Sequence, residues 1–288
     1  MEISPSRTAT VGDAQVRRAL PQRTRRTIGA WCFVDHFGPS SPGADDGLGV
    51  GPHPHCGLST VTWLVDGMAV HTDSLGSEQP IRPGQLNLMS ARHGIAHAEQ
   101  TPADRRGPMH GVQFWVAQPE STRHGAPAFE HHADLPTTGI GGLAATVLLG
   151  AFGDLSSPAR ADTELVGVEL LGDSGGPTVL PLDPTFEHAV VVIEGRIELD
   201  GVPVGVDELA YLPNGAAHVT AATDGPARWL LIGGVPFEAP VQMWWNFVGR
   251  SRDEMVAAVD DWNAADGRFG EVRSDPERIP APVPPWRS

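Results

Sequence analysis

The chain has 288 residues, of which 40% are hydrophobic, so it is long enough to bury a core in each of two globular units. Asp and Glu outnumber Lys and Arg by 35 to 20, and the formal net charge of −15 argues against direct binding of nucleic acid or of an anionic membrane. There are two cysteines, no secretion signal and no apolar run of the roughly 18 residues that span a bilayer, so we expect a cytoplasmic protein. All basic side chains are Arg, a bias typical of GC-rich coding sequences that hints at a bacterial origin.

Short β-branched or alternating segments dominate the chain. Glycine and proline, 34 and 27 in number, separate segments such as residues 59–65, 189–193 and 228–232. This pattern is typical of β-barrels and β-sandwiches. Helical periodicity is clear near the end, where we expect Ser251 to cap a helix over residues 252–261 with acidic side chains in its first turn.

Two halves of the chain follow one plan. Residues 61–67 (Val-Thr-Trp-Leu-Val-Asp-Gly) match residues 189–195 (Ala-Val-Val-Val-Ile-Glu-Gly), and both segments read as a strand that ends in an acidic-Gly turn. Downstream, the patterns at residues 86–97 and 209–218 also match, and each ends in Gly-x-Ala-His. The repeat predicts two domains of similar construction.

The predicted linker lies at residues 119–142, which are rich in Pro, Gly, Thr and His and show no periodicity. We therefore place an N-terminal domain at residues 1–130 and a C-terminal domain at residues 131–288.

Two pairs of potential metal ligands are spaced two residues apart. Side chains at this spacing point to the same face of a strand, so His53 and His55 form one pair and His97 and Glu99 form another. If the two strands face each other, the four ligands converge. Imidazoles suit Fe, Zn, Cu or Ni, and one carboxylate favours a harder first-row ion with open positions. The spacing predicts a site for one divalent transition metal.

A run of motifs in fixed order resembles the pirin family of the cupin superfamily. The motifs are Trp-Cys-Phe-Val-Asp-His-Phe-Gly-Pro at 31–39, His-Pro-His at 53–55, His-Thr-Asp-Ser-Leu-Gly at 71–76, Ile-Arg-Pro-Gly at 81–84, Gly-Ile-Ala-His-Ala-Glu at 94–99, Gln-Phe-Trp-Val at 113–116 and Met-Trp-Trp-Asn-Phe-Val at 243–248. The resemblance implies an all-β bicupin, with two β-barrel (jelly-roll-like) domains and a short C-terminal helix. It also implies that the N-terminal barrel holds Fe(II) through His53, His55, His97 and Glu99.

The second half keeps only one ligand type. When the two repeats are aligned, His218 matches His97, but Pro181, Asp183 and Thr220 match the other three ligands. We therefore expect the C-terminal cupin domain to lack the metal, and His218 to be a buried, hydrogen-bonded residue.

Cys56 departs from the pattern of the pirins, which usually carry Arg directly after the second histidine. The thiol lies beside His55 in the chain, so it could ligate the metal, be oxidised by iron and oxygen, or pack as a small buried side chain. The sequence leaves all three roles of Cys56 open.

Four further residues are candidates for the wall of a substrate cleft or the surroundings of the metal. Trp31, Phe33 and Trp115 would supply apolar surface, and Gln113 would supply an amide donor. Aromatic residues at alternating positions also fill barrel cores, so a purely structural role stays open for each.

The resemblance implies a function in which the metal opens the ring of a flavonol. Our first hypothesis is an Fe(II)-dependent dioxygenase of the quercetin 2,3-dioxygenase type, an oxidoreductase that uses a quercetin-like substrate and O2. The three histidines would hold the metal with two neighbouring positions open, and Glu99 would be ligand and proton acceptor.

Two alternatives from other classes stay open. Pirins also include non-enzymatic, redox-sensing regulators that bind a transcription factor or a metabolic enzyme, with the oxidation state of iron as the switch. In the third interpretation the metal only stabilises the first barrel, although structural metal sites usually lack open positions.

Overall fold

The computed structural model describes residues 1–11, 14–40, 47–105, 107–173, 175–274 and 276–287. Strands dominate it, and one α-helix lies near the end of the described chain. No helix among the described residues is long and apolar enough to cross a membrane. The all-β class predicted from the short alternating segments is confirmed.

The strands up to residue 132 have the following bounds: β1 Glu2–Pro5, β2 Arg7–Val11, β3 Ala14–Leu20, β4 Trp31–Phe37, β5 Gly49–His55, β6 Leu58–Asp66, β7 Ala69–Asp73, β8 Glu78–Ile81, β9 Leu86–Ser90, β10 Ile95–Gln100, β11 His110–Ala117 and β12 Ala128–His132. One 3-10 turn lies at Ala103–Arg105.

The remaining elements are β13 Thr137–Ile140, β14 Leu143–Phe152, β15 Leu155–Ser156, β16 Leu165–Gly172, β17 Gly175–Pro181, β18 Glu187–Glu194, β19 Arg196–Leu199, β20 Val202–Gly205, β21 Glu208–Leu212, β22 His218–Thr223, β23 Ala227–Gly234, β24 Gln242–Trp244, β25 Phe247–Gly249 and α1 Arg252–Ala264.

The chain divides into two compact units that are not contiguous in sequence. Unit 1 comprises Met1–Ala9, Arg17–His36 and Asp134–Phe237, and unit 2 comprises Thr10–Val16, Phe37–Ala133 and Glu238–Ser288. A cut after residue 130 therefore differs from the packing, because the last fifty or so residues return to the unit that contains the histidine pairs. The predicted linker includes the boundary at residue 133, but it also contains strands β12 and β13.

Unit 1 contains two antiparallel sheets around one apolar core. Their strand orders are β1-β21-β18-β23-β16-β14-β13 and β17-β22-β19-β20. Val168 and Val190 from the first sheet and Leu180 and Ile197 from the second belong to the same cluster of buried side chains. Alternate positions of the strands thus supply a core between the sheets, as expected of a sandwich-like barrel.

Unit 2 repeats this plan. Its strands are hydrogen-bonded in the orders β12-β9-β6-β11 and β5-β10-β7-β8. The matching turns of the repeat occur after β6 and β18, where Gly67 and Gly195 adopt φ of 89° and 72°. A residue with a side chain is strained at such positive φ angles, which explains why glycine occurs at both positions. The internal repeat therefore corresponds to equivalent strands and turns.

Helix α1 begins where the sequence predicts. The Oγ atom of Ser251 accepts the backbone N–H of Glu254 at 3.2 Å, which makes Ser251 the N-cap. The helix runs three residues further than predicted, to Ala264, and buries Met255 and Trp262 among others. It packs in unit 2 with Phe247, so the predicted short C-terminal helix contributes to the core of that unit.

The expectation that His218 is buried is wrong. It is the first residue of β22 and is exposed, whereas Val219 and Ala221 on the opposite face are buried. In β10 the first four residues, including His97, are all buried. The repeat predicted the strand correctly, but sequence similarity alone does not show that β22 is buried on one face only.

Candidate metal centre

The two histidine-bearing strands are direct neighbours. Strands β5 and β10 pair antiparallel, and His97 stands opposite His53 in the register. Directly opposite residues project to the same side of a sheet, and His55 follows two positions later on that side. The ring centroid of His97 lies 4.3 Å from that of His53 and 5.0 Å from that of His55. The spacing therefore brings these three imidazoles together as predicted.

Two of the rings have their protonated nitrogen assigned by the backbone. Nδ1 of His53 lies 2.9 Å from the carbonyl oxygen of Gly51, and Nδ1 of His55 lies 3.1 Å from that of Asn246. A carbonyl oxygen only accepts, so both Nδ1 atoms donate and each neutral ring keeps its lone pair on Nε2. This is the arrangement that metal-ligating histidines ordinarily show.

Nε2 of His97 is buried and has no hydrogen-bond partner among the described residues. An unsatisfied buried nitrogen is costly unless something else occupies its lone pair. One ligand atom from each of His53, His55 and His97 lies within 4.8 Å of the others. The donor set therefore fits a transition metal ion.

The environment keeps the three rings neutral. Burial lowers the pKa of His53 to about 4; the hydrogen bond to Gly51 opposes the shift, and a smaller repulsion from His71 adds to it. Burial and repulsion between the rings also hold the pKa values of His55 and His97 well below their usual range. A metal therefore does not have to displace protons from these side chains near neutral pH.

Glu99 lies next to His97 but is not equally close to the other two histidines. The pairing of β10 with β5 shifts between His97 and Glu99, so a bulge interrupts the regular alternation. The carboxylate shares a second group of closely spaced ligand atoms with His97 and His71, whereas no group of described residues contains all four predicted ligands.

Thr62 on β6 holds the carboxylate of Glu99. Its hydroxyl oxygen lies 3.1 Å from Oε1 of Glu99 and 3.0 Å from Oε1 of Gln113. Burial raises the pKa of Glu99, while His71 and Thr62 oppose the shift. Since β6 and β10 belong to different sheets of unit 2, these contacts place Glu99 between the two sheets.

Two residues of the site were not selected by the sequence analysis. Nδ1 of His71 lies 3.3 Å from Nδ1 of His97, and Nε2 of His71 lies 3.1 Å from Oδ2 of Asp73. The ring of Phe129 stacks on His71 with centroids 4.3 Å apart. His71 and Asp73 could have been found from the sequence, because they are spaced two residues apart in one strand, as the predicted ligands are.

The four candidate cleft residues divide between the units. In unit 2, Trp115 meets His55 edge-on with centroids 5.2 Å apart, and Gln113 contacts Thr62. In unit 1, Trp31 is fully buried and donates its Nε1–H to Gly233, while the guanidinium of Arg18 lies over the ring of Phe33. Both residues thus have contacts within unit 1, and because β4 is buried on both faces, alternation does not show whether either one also lines a cleft.

Cys56 is a packed side chain. It lies in a cluster with Ala96, Phe247 and Trp262, on the face of the chain opposite that of His55. Burial raises the pKa of its thiol to about 11. Among the described residues it belongs to neither group of potential metal ligands. Of the three interpretations, packing is the one that the geometry favours.

Comparison with known proteins agrees with this architecture. Residues 13–116 match the model of the Pirin family, and residues 168–270 match that of the Pirin C-terminal cupin domain. A Pseudomonas aeruginosa protein named "Putative quercetin 2,3-dioxygenase" is 46% identical over 277 residues, which cover 96% of this chain and 88% of the relative. A "Pirin-like protein" of Caulobacter vibrioides is 36% identical over 289 residues, covering 97% and 98%.

A solved structure resembles the whole chain. The crystal structure of quercetin 2,3-dioxygenase from Acinetobacter baumannii has a TM-score of 0.96 and 43% sequence identity, and the match covers 100% of this chain and 96% of that one. Family models, relatives and fold all agree, and the chain belongs to the pirin family of bicupins.

Proposed function

We propose that this pirin-like protein binds one divalent transition metal, Fe(II), and is a dioxygenase that opens the ring of quercetin-type flavonols. The observation that carries the proposal is the set of three buried, neutral imidazoles, each of which offers one ring nitrogen within 4.8 Å of the others. The names of the relative and of the solved structure support the substrate class.

His53, His55 and His97 would hold the metal, and Glu99, whose carboxylate lies close to His97, would complete the ligand set. Imidazole and carboxylate together suit Fe(II) and leave positions open for substrate. When bound, the metal would supply a Lewis acid for the adjacent hydroxyl and carbonyl oxygens of a flavonol and a redox centre for O2.

The protein contributes orientation and proton acceptance. The carbonyls of Gly51 and Asn246 fix two imidazoles, so ligand positions are set before the metal arrives. Glu99 is the carboxylate beside the histidines, so it is the group placed to accept the hydroxyl proton of the substrate. The indole of Trp115 beside His55 supplies apolar surface for an aromatic ligand.

The test uses purified full-length protein loaded with Fe(II) under anaerobic conditions. After O2 is admitted with quercetin, we expect oxygen uptake together with loss of the flavonol absorbance, and neither change with a His97→Ala variant. Iron-loaded protein that consumes no oxygen over a panel of flavonols would contradict the dioxygenase proposal. Iron binding without turnover would favour the regulatory alternative.

A further inference from the structure

His71 and Asp73 form a hydrogen-bonded series that ends at His97. Both residues lie on β7, which pairs with β10 so that Asp73 stands opposite His97. Both side chains are buried, at 2% and 4% exposure. Burying a carboxylate and an imidazole is costly unless both are hydrogen-bonded, so the bonds that they make determine what they can do.

Asp73 is a carboxylate with three donors. Its Oδ1 accepts the backbone N–H groups of Leu75 at 2.9 Å and Ser77 at 3.0 Å, and its Oδ2 faces Nε2 of His71 at 3.1 Å. Burial opposes its charge, but the hydrogen bonds from His71 and Ser77 outweigh that effect, so its pKa is lowered. Since Oδ1 already accepts two backbone N–H groups, the carboxylate is the acceptor of the third bond as well, and His71 donates from Nε2.

The direction of every later bond follows from this first one. The arrangement requires a His71 with a single proton, on Nε2, which leaves a lone pair on Nδ1. The neighbouring Nδ1 of His97, 3.3 Å away, must then be the donor. A neutral His97 with its proton on Nδ1 has its lone pair on Nε2, which is the buried nitrogen without a partner.

We propose that Asp73 and His71 are positioning residues that hold His97 in the Nδ1–H tautomer, so that its Nε2 lone pair faces the metal. This inference rests on the proposed metal binding. In His53 and His55 a backbone carbonyl oxygen accepts the Nδ1–H and so fixes the tautomer. In His97 the acceptor is a side chain of the neighbouring strand, His71.

The geometry also offers a competing arrangement, in which His71, His97 and Glu99 are themselves the ligands. In that arrangement His97 would coordinate through Nδ1 and carry its proton on Nε2. That N–H would then be buried without an acceptor among the described residues. The cost of an unsatisfied buried donor favours the first arrangement, in which a relay of hydrogen bonds runs from Asp73 through His71 to His97.

Substitution of Asp73 by Asn replaces one carboxylate oxygen by an NH2 group of similar size, and this reverses the relay. The amide oxygen of Asn is expected to face the two backbone N–H groups, because turning the amide would set its N–H2 against two donors. The amide N–H then faces His71, which must accept on Nε2 and donate from Nδ1. His97 would accept on Nδ1 and carry its proton on Nε2, where it blocks coordination.

The test measures cobalt(II) binding and, in metal-free protein, the histidine tautomer by nitrogen NMR. For Asp73→Asn we expect His97 to change to the Nε2–H form and the cobalt Kd to rise roughly 10- to 100-fold. Asp66→Asn is the matched control, since it makes the same charge change at an exposed turn and should alter neither reading. An unchanged tautomer or an unchanged Kd for Asp73→Asn would overturn the proposal.

A second variant keeps the test sharp if Asp73→Asn is poorly folded. In His71→Gln the side-chain oxygen can accept from His97 whatever residue 73 is. We therefore expect the added Asp73→Asn change to raise the cobalt Kd by less than threefold in that background, and a full effect there would contradict the relay. Wild-type protein with the Nδ1–H tautomer that binds no cobalt would refute the metal proposal alone.

Discussion

His53 and His97 are directly opposite partners in the antiparallel pair β5 and β10, and their ring centroids lie 4.3 Å apart. This pairing builds the centre, because a register slip of one residue would turn every side chain of one strand to the other face of the sheet. The backbone hydrogen bonds of the sheet, rather than flexible loops, therefore set the distance between the imidazoles of His53 and His97.

Thr62 is expected to affect metal binding through its hydrogen bond to Glu99. A Thr62→Val change keeps the shape of the side chain but removes the hydrogen bond to the carboxylate. Without that donor the pKa of Glu99 rises further, so we expect roughly tenfold weaker cobalt binding at neutral pH and a smaller deficit at higher pH. Titrations at several pH values measure both effects.

Thr72→Val is the matched control for this prediction. The buried hydroxyl of Thr72 has no hydrogen-bond partner among the described residues, and Thr72 lies on β7 in the same unit. Its loss should leave the cobalt Kd within twofold of wild type. Equal affinities for Thr62→Val and Thr72→Val would show that Thr62 does not support Glu99.

Both cysteines are predicted to be unreactive in the folded protein. Cys32 and Cys56 are both buried, and burial raises the pKa of the Cys56 thiol to about 11, so little reactive Cys56 thiolate exists at neutral pH. A thiol reagent such as DTNB should find almost no thiol in native protein and two after denaturation. Rapid labelling of Cys56 in native protein would restore its oxidation as an interpretation.

His188 in unit 1 should make stability sensitive to acid. Burial lowers its pKa to about 4, so between the ordinary value of 6.5 and about 4 the unfolded chain binds the proton that the folded protein refuses. This contribution to stability is complete above pH 6.5 and is lost as the pH falls toward 4.

The expected size follows from comparing wild type with His188→Gln. After allowance for solvent screening, wild-type protein should lose about 1–2 kcal/mol more than the variant between neutral pH and about pH 4.5. Urea unfolding at the two pH values provides the measurement. Parallel losses in both proteins would mean that His188 titrates normally in the folded state.

The sequence was sufficient for the features that depend on local periodicity. Side chains two apart share a face of any strand, so His53 and His55 could be paired before the fold was known. The cap at Ser251 depends on one side chain and the first turn of one helix, and it was also predictable. Each of these predictions needs only neighbouring residues.

Features that depend on packing between distant strands were not predictable in the same way. His218 has the same sequence context as His97, yet β22 is half-exposed and β10 is not. Asp73 belongs to the site because β7 pairs with β10, and local periodicity does not predict which strands pair. The return of residues 238–288 to unit 2 likewise depends on long-range contacts that periodicity does not record.

The most direct test of the metal centre is the metal content of purified protein after loading with Fe(II) and removal of excess metal. Elemental analysis should find one iron per wild-type chain and a large loss in His97→Ala, because that change removes the imidazole whose Nε2 has no other partner among the described residues. Stoichiometric iron retained by folded His97→Ala protein would contradict the assignment of the centre.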